Sequence, residues 1–214
     1  LIGAFFSLLS SYRRSPAKLP RYRGTLDVLL GRAHRVSSST SDLPANNNVS
    51  IAAFQDTFVV AYRKADSHFA SPLANIVVAT SSDLEDWTTV WQYHTGTDDL
   101  REVLLLRFAG KLFLFYAKLA PVKRGFTPRG SHCTSTQDLK VWTTPVPVGE
   151  DTEIVWDAKV HCDDGGQEVA YKCGYTGNHY AGDAVLTVLF QKSRDGVKWN
   201  PVGDKSAVYV GGVS

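Results

Sequence analysis

The apolar residues of this chain are gathered into short runs separated by turn-forming residues, and the runs follow a fixed order. A first run (Val49 to Phe54, Val103 to Phe108, Ala158 to Cys162) meets a tight turn at Gln55-Asp56, Ala109-Gly110 or Asp163 to Gly166. A second run then ends in tyrosine: FVVAY to Tyr62, LFLFY to Tyr116 and EVAY to Tyr171. Two such runs about a tight turn predict a β-hairpin. A third run (Asn75 to Thr80, Ser131 to Ser135, Leu186 to Lys192) leads into a turn from aspartate to tryptophan, and a short fourth run follows it.

The turns read SSDLEDW (Ser81 to Trp87), TQDLKVW (Thr136 to Trp142) and SRDGVKW (Ser193 to Trp199), with their tryptophans 55 and 57 residues apart. The strand-ending tyrosines are 54 and 55 residues apart, so two independent markers share one period. Four short strands per repeat of that length is the plan of a β-propeller blade. WD repeats are shorter, at about 40 to 45 residues, and no recurrent double glycine marks a kelch repeat. An all-β sandwich would also hold Trp and Tyr in strands, but it does not require one turn at a fixed period. The sequence therefore predicts an all-β fold: a β-propeller of four-stranded blades at about 46–97, 98–150 and 151–210, within a domain over 27–214. Asp83, Asp138 and Asp195 are expected to accept backbone N–H bonds in their turns, and Trp87, Trp142 and Trp199 to fold back as lids. These six are scaffold rather than chemistry.

The turn resembles the Asp box of sialidase-type propellers (SxDxGxxW) in a shortened form, and is similar to the DLxxW turns of five-bladed glycoside hydrolases. Ser193, Asp195, Gly196 and Trp199 come nearest to the sialidase form, one residue short of its spacing. The segment Tyr62-Arg63 through His68-Phe69-Ala70-Ser71-Pro72, after Asn46-Asn47-Asn48, resembles sialidase-like (BNR-repeat) proteins, and the likeness runs roughly from Leu43 to the C-terminus. The resemblance implies a carbohydrate-active propeller. For a sialidase it also implies an arginine triad, a Tyr nucleophile backed by Glu, and an Asp acid. The FRIP-like arginine segment is absent, Ala61-Tyr62-Arg63-Lys64 being the nearest feature, so that catalytic set is incomplete here. Propellers have four to eight blades; with Val208 to Ser214 read as the start of another blade, the expectation is part of a five- or six-bladed parent.

Composition narrows the function classes. With 23 Lys and Arg against 21 Asp and Glu, the net charge of +2 gives no electrostatic case for nucleic acid. The chain has no methionine where about four would be usual at roughly 2% usage, which favours a chain that begins inside a longer one. Residues 1–26 hold no acid before Asp27 and carry Arg13, Arg14, Lys18, Arg21 and Arg23 among serines. They are expected to be a basic N-terminal extension or a targeting remnant, which favours a secreted or organellar address. The apolar run Leu1 to Leu9 is far below the ~20 residues of a bilayer span, so no membrane span is expected.

Propellers bind ligands at one mouth of the central channel, so the starts of the innermost strands are the places to inspect. These offer Asn47 and Asn48; Asp99, Arg101 and Glu102; and Trp156, Asp157 and Lys159, with Arg63, His68 and Lys118 following the second strand. As a carbohydrate site, Glu102 and Asp157 form the acid and base pair, and Trp156 stacks on a sugar. Asn48, Arg63, His68, Arg101 and Lys159 hold the substrate. The alternative is that Arg101 and Glu102 make a solvated ion pair and the propeller is a non-catalytic interaction platform with protein partners. No phosphate loop, HExxH or paired CxxC occurs, so no cofactor and no metal is expected. In His132-Cys133 and His161-Cys162 one member of each pair is expected to be buried against the neighbouring blade. Cys162 and Cys173 lie too far apart along their hairpin to bridge. Asn48-Val49-Ser50 is a glycosylation sequon at a strand start, where a glycan would obstruct the channel.

Overall fold

The computed structural model describes residues 35–37, 40–122, 125–178, 185–203 and 207–210; the expected basic extension over 1–26 lies outside them. Three antiparallel sheets follow one another along the chain. The first is β1 (Ala45–Phe54), β2 (Thr57–Ala65), β3 (Asn75–Ser81) and β4 (Thr88–Tyr93). The second is β5 (Asp99–Phe108), β6 (Lys111–Val122), β7 (Gly125–Thr136) and β8 (Val146–Val148). The third is β9 (Ile154–Cys162), β10 (Glu168–Thr176) and β11 (Leu186–Ser193), with β12 (Asn200–Pro201) and β13 (Ala207–Val210) both paired to β11. β13 is thus outer-strand material of the third sheet, where the sequence led us to expect the start of another blade. Its register, Leu186 opposite Val210 through Leu189 opposite Ala207, continues the edge that β12 begins.

In each sheet the strands lie in sequence order, and β1 packs on β5 and β5 on β9, so the first strands sit side by side as the inner edges of successive blades. The sheets are three blades of a propeller, and they do not close on one another. Among the described residues no helix is long and apolar enough to cross a membrane.

The residue pattern explains why the middle blade reads as continuously apolar. A sheet covered on both faces needs apolar residues at every position, whereas one covered on a single face alternates. From β5 and β6, Leu105, Leu112, Leu114 and Tyr116 join Phe54, Val59, Ile76 and Val78 of the first blade in one core. The alternate residues Leu106, Phe108, Phe113 and Phe115 join Val155, Ala158 and Ala170 of the third blade in another. β1, by contrast, alternates, with Val49 and Ile51 exposed. Hydroxyls link the blades where inner strands have no further strand to pair: Leu105 N–H donates to Ser50 Oγ and Val155 N–H to Ser131 Oγ, at 3.0 and 2.9 Å.

The three Asp-to-Trp turns share one wiring. Asp83 Oδ1 accepts the N–H groups of Glu85 and Asp86, Asp138 Oδ1 those of Lys140 and Val141, and Asp195 Oδ1 those of Val197 and Lys198. Each carboxylate also accepts the hydroxyl at the end of the third strand, from Ser81, Thr136 or Ser193. These bonds hold the Asp83 and Asp138 carboxyls below the ordinary range; at Asp195 burial opposes the shift but the backbone bonds prevail. Their stabilisation is full above the unfolded carboxyl value of about 4 and is lost as pH falls through the lowered folded values. Trp87, Trp142 and Trp199 are each packed, half-buried, against a core cluster. Trp142 stacks on Trp91 at 5.1 Å, and Trp199 meets Phe115 edge-on at 6.0 Å.

The residue after each turn aspartate has a left-handed backbone: Leu84 at φ 68°, Leu139 at φ 62° and Gly196 at φ 80°. A Cβ on Gly196 would stand 2.5 Å from the buried Phe113 ring, while one on Gly110, at φ 72°, would meet nothing within 4 Å. Gly110→Ala should therefore cost only the left-handed strain, about 1 kcal/mol. Gly196→Ala adds overpacking and should cost roughly 2–4 kcal/mol, a ranking read by urea denaturation of the two variants.

Candidate functional site

The innermost strands all start at one end of the blades, here called the mouth end, and two of them carry the same backbone irregularity there. The β1–β2 register shifts between Asn47 and Ser50, and the β5–β6 register between Arg101 and Leu104. Within each bulge one non-glycine residue is left-handed: Asn48 at φ 50° and Glu102 at φ 53°. Left-handed non-glycine residues cost on the order of 1 kcal/mol and bulges re-aim side chains, so this geometry marks a place where direction matters more than pairing. In β9 the shift falls between Val155 and Asp157, which makes Trp156 the bulged residue.

The two re-aimed side chains meet across the blade boundary. Asn48 Nδ2 donates to Glu102 Oε2 at 3.2 Å, so the sequon asparagine is bonded to a carboxyl. Burial raises the pKa of Glu102; Arg101 opposes this, Asp99 adds to it, and Arg63 and His68 oppose it. The net effect favours the protonated acid.

Beneath this pair lies an ion cluster without solvent. Asp99 accepts from Arg63 Nε at 2.9 Å and Nη2 at 2.7 Å, and from Arg101 Nε at 2.6 Å. Both Arg63 and Asp99 are 0% exposed, and Arg101 is buried, with its guanidinium over the Phe126 ring at 4.7 Å. Arg63 was expected to hold substrate. Its Nη1 instead donates to Asn47 Oδ1 and Ser67 O, and its Nη2 to Phe69 O besides Asp99. All five guanidinium N–H groups are thereby engaged. Arg63 is a buried, fully bonded side chain below the mouth. Arg101 likewise pairs with Asp99, not with Glu102 in the solvated pair that the sequence left open.

The remaining expected residues stand at the surface. His68 is exposed, with Nδ1 2.7 Å from Asn47 Nδ2. Trp156 is 62% exposed and lies 6.1 Å from the Tyr175 ring. Asp157 accepts from Lys159 Nζ at 2.6 Å and from the N–H of Ala158. The groups acting on Glu102 thus belong to the first two blades, while Asp157 is held by its own strand.

Two features escaped the sequence reading. Asp99 is the common acceptor of two arginines. In the third blade, Lys172 pairs with Glu153, both buried, and lies over Trp199; burial pulls Lys172 down although Glu153 pushes the other way. Their signal was a shared register: Arg63 and Lys172 each follow the strand tyrosine, while Asp99 opens β5 and Glu153 immediately precedes β9.

Cys133 is buried, which pushes its thiol up to about 12, and His132 beside it is pushed down to about 4 by burial and by Lys118. Neither His161 nor Cys162 is buried, contrary to expectation, because both sit at the exposed end of β9. Cys162 pairs with Glu168 and Cys173 with Asp157, and all three cysteines are free. Among the described residues no three His, Cys, Asp or Glu side chains converge as a metal site.

No family model and no curated protein matches this sequence. Solved structures do match in fold. A family 117 glycoside hydrolase of the marine bacterium Zobellia galactanivorans superposes with TM-score 0.50 at 15% identity, over 76% of this chain and 57% of that one. An α-L-arabinanase of Penicillium chrysogenum, solved with arabinobiose, gives 0.50 at 17% identity over 75% and 51%. The GH93 α-L-arabinofuranosidase of Fusarium graminearum, also with arabinobiose, gives 0.50 at 18% over 73% and 48%. The present chain spans about half the length of these structures, and at such identities the likeness establishes the propeller fold.

Removing the shared carboxylate tests the cluster. Asp99→Ala leaves two buried guanidinium groups unpaired and should lower stability by about 3–5 kcal/mol in urea denaturation. Lys159→Ala breaks an exposed pair and should change it by less than about 1 kcal/mol.

Proposed function

We propose that this chain forms part of a carbohydrate-active propeller that binds and hydrolyses a glycan at the mouth end. Glu102 carries the reading: it is a desolvated carboxyl on a left-handed bulge residue, held by an asparagine of the neighbouring blade. A carboxyl biased towards its protonated form is what a general acid for glycoside cleavage requires. In this reading Glu102 gives its proton to the glycosidic oxygen as the C–O bond breaks. Asp157 is the second carboxylate. It takes a proton from the attacking water if the configuration inverts; if it is retained, it bonds to the anomeric carbon and is then displaced by a water that gives its proton to the Glu102 carboxylate. Trp156 stacks on a sugar ring, and Asn48 and Lys159 line the approach. The likeness to glycoside hydrolases of propeller fold supports this class of chemistry.

The sialidase form of the reading draws on the SRDGVKW turn, but it would need a free guanidinium for the substrate carboxylate. Arg63 has none to offer and Arg101 is buried against Asp99, so a neutral glycan is favoured over a sialoside.

Arabinobiose, sucrose and sialyllactose, titrated into the full chain by NMR and assayed for reducing-sugar release, test the proposal. A neutral disaccharide is expected to bind saturably, and Glu102→Gln should lower any turnover by about 10²–10⁴-fold. If no saccharide shifts a resonance, the interaction-platform reading replaces this one.

The raised pKa also fixes a pH dependence. An acid works while protonated, so activity should persist above the ordinary glutamate range of about 4.3 and fall as pH rises through the elevated value of Glu102. A pH–rate profile whose alkaline limb lay within the ordinary range would remove Glu102 from the role.

A further inference from the structure

Three consecutive backbone carbonyls of the loop between β2 and β3 are gripped from below by two buried arginines. Arg63 Nη1 donates to Ser67 O at 2.9 Å, Arg101 Nη2 to His68 O at 3.3 Å, and Arg63 Nη2 to Phe69 O at 2.9 Å. Burying such ions is costly, and a packed apolar filling would often stabilise a fold better. What the ions secure is the shape of this loop. The side chains they carry are left outside: His68 is exposed, and Phe69 is 75% exposed, the most exposed of the large apolar residues described. The two rings stand 6.3 Å apart at 69°, so the loop offers an aromatic face and an imidazole edge in fixed relation.

The same arginine also decides which imidazole nitrogen carries the proton. A guanidinium only donates, so the Asn47 atom 3.4 Å from Arg63 Nη1 is the carbonyl Oδ1. Asn47 Nδ2 is then left to donate to His68 Nδ1 at 2.7 Å. His68 Nδ1 accepts, and the ring proton sits on Nε2, free to donate. Asn47, which holds His68, is followed in the chain by Asn48, which is bonded to Glu102, so the imidazole and that carboxyl are held by adjacent residues of one bulge.

We propose that His68 and Phe69 form a sugar-ring subsite beside Glu102, in which Phe69 stacks on a pyranose or furanose face and His68 Nε2–H donates to a ring oxygen. Arg63, Arg101, Asp99 and Asn47 are positioning residues that set the loop and the tautomer. The subsite rests on the carbohydrate reading given above, and its recognition is for a neutral, hydroxyl-bearing ring: one stacking face and one donor, with every Arg63 donor used and Arg101 buried against Asp99.

Two measurements on the ¹⁵N-labelled full chain separate the proposal from its premise. Long-range ¹H–¹⁵N spectra without any ligand should show His68 as the Nε2–H tautomer, and Asn47→Ala should release it to a mixture. An Nδ1–H tautomer in the wild type would overturn the positioning role whatever the chain binds. Titration with methyl α-L-arabinofuranoside and methyl β-D-galactopyranoside should show Phe69→Ala weakening binding about tenfold and Phe69→Tyr restoring it to within about twofold, because a stacked ring contributes on the order of 1 kcal/mol or more. The melting temperature should not move in either Phe69 variant, the ring being outside the core. If the wild type binds a probe and Phe69→Ala binds it equally well, the subsite falls and the carbohydrate reading stands. If the wild type binds neither, both fall.

Discussion

One carboxylate shared by two arginines, all three out of water, is the contact on which the mouth of this molecule depends. Asp99 opens the inner strand of the second blade, Arg63 comes from the second strand of the first, and Arg101 follows two residues after Asp99. The bond between Arg63 and Asp99 therefore crosses the blade boundary, and so does that between Asn48 and Glu102 just above it. The apolar core shared by the first two blades also joins them, but it neither orients Asn47 nor binds loop carbonyls, as these polar groups do.

The third blade repeats the device with different chemistry. Lys172 and Glu153 form a buried pair, and Glu153 also accepts the N–H of Glu150, fastening the connection from β8 to β9. The Gly149 position lies against that carboxylate, with a Cβ placed 1.9 Å from Oε2 and φ at 83°, so this connection has no room for a side chain there. A buried cation on the second strand and a carboxylate at an inner-strand start thus recur along the chain, across blades in one case and within a blade in the other.

The blade plan was legible in the sequence because it is written in short-range patterns. Short apolar runs, tight turns and the Asp-to-Trp spacing each depend on neighbours a few residues away, and the structure places all three turns between third and fourth strands as their order implied. The strand starts were legible as a set of polar residues but not as a network. Arg63 looked like a ligand for substrate since arginines are seldom fully buried; only the coordinates bring Asp99, 36 residues later, against it. The role of β13 was unreadable for a related reason, since a four-residue apolar strand fits an outer edge and a new inner edge equally well.

The grip on the loop after β2 falls entirely on main-chain oxygens, at Ser67, His68 and Phe69. Every amino acid has that oxygen. The conformation is consequently indifferent to which side groups decorate those three positions, and their identity can drift or be redesigned while the underlying frame persists. Display and architecture are uncoupled there, so substitutions at those three positions change what the surface presents without touching what holds it.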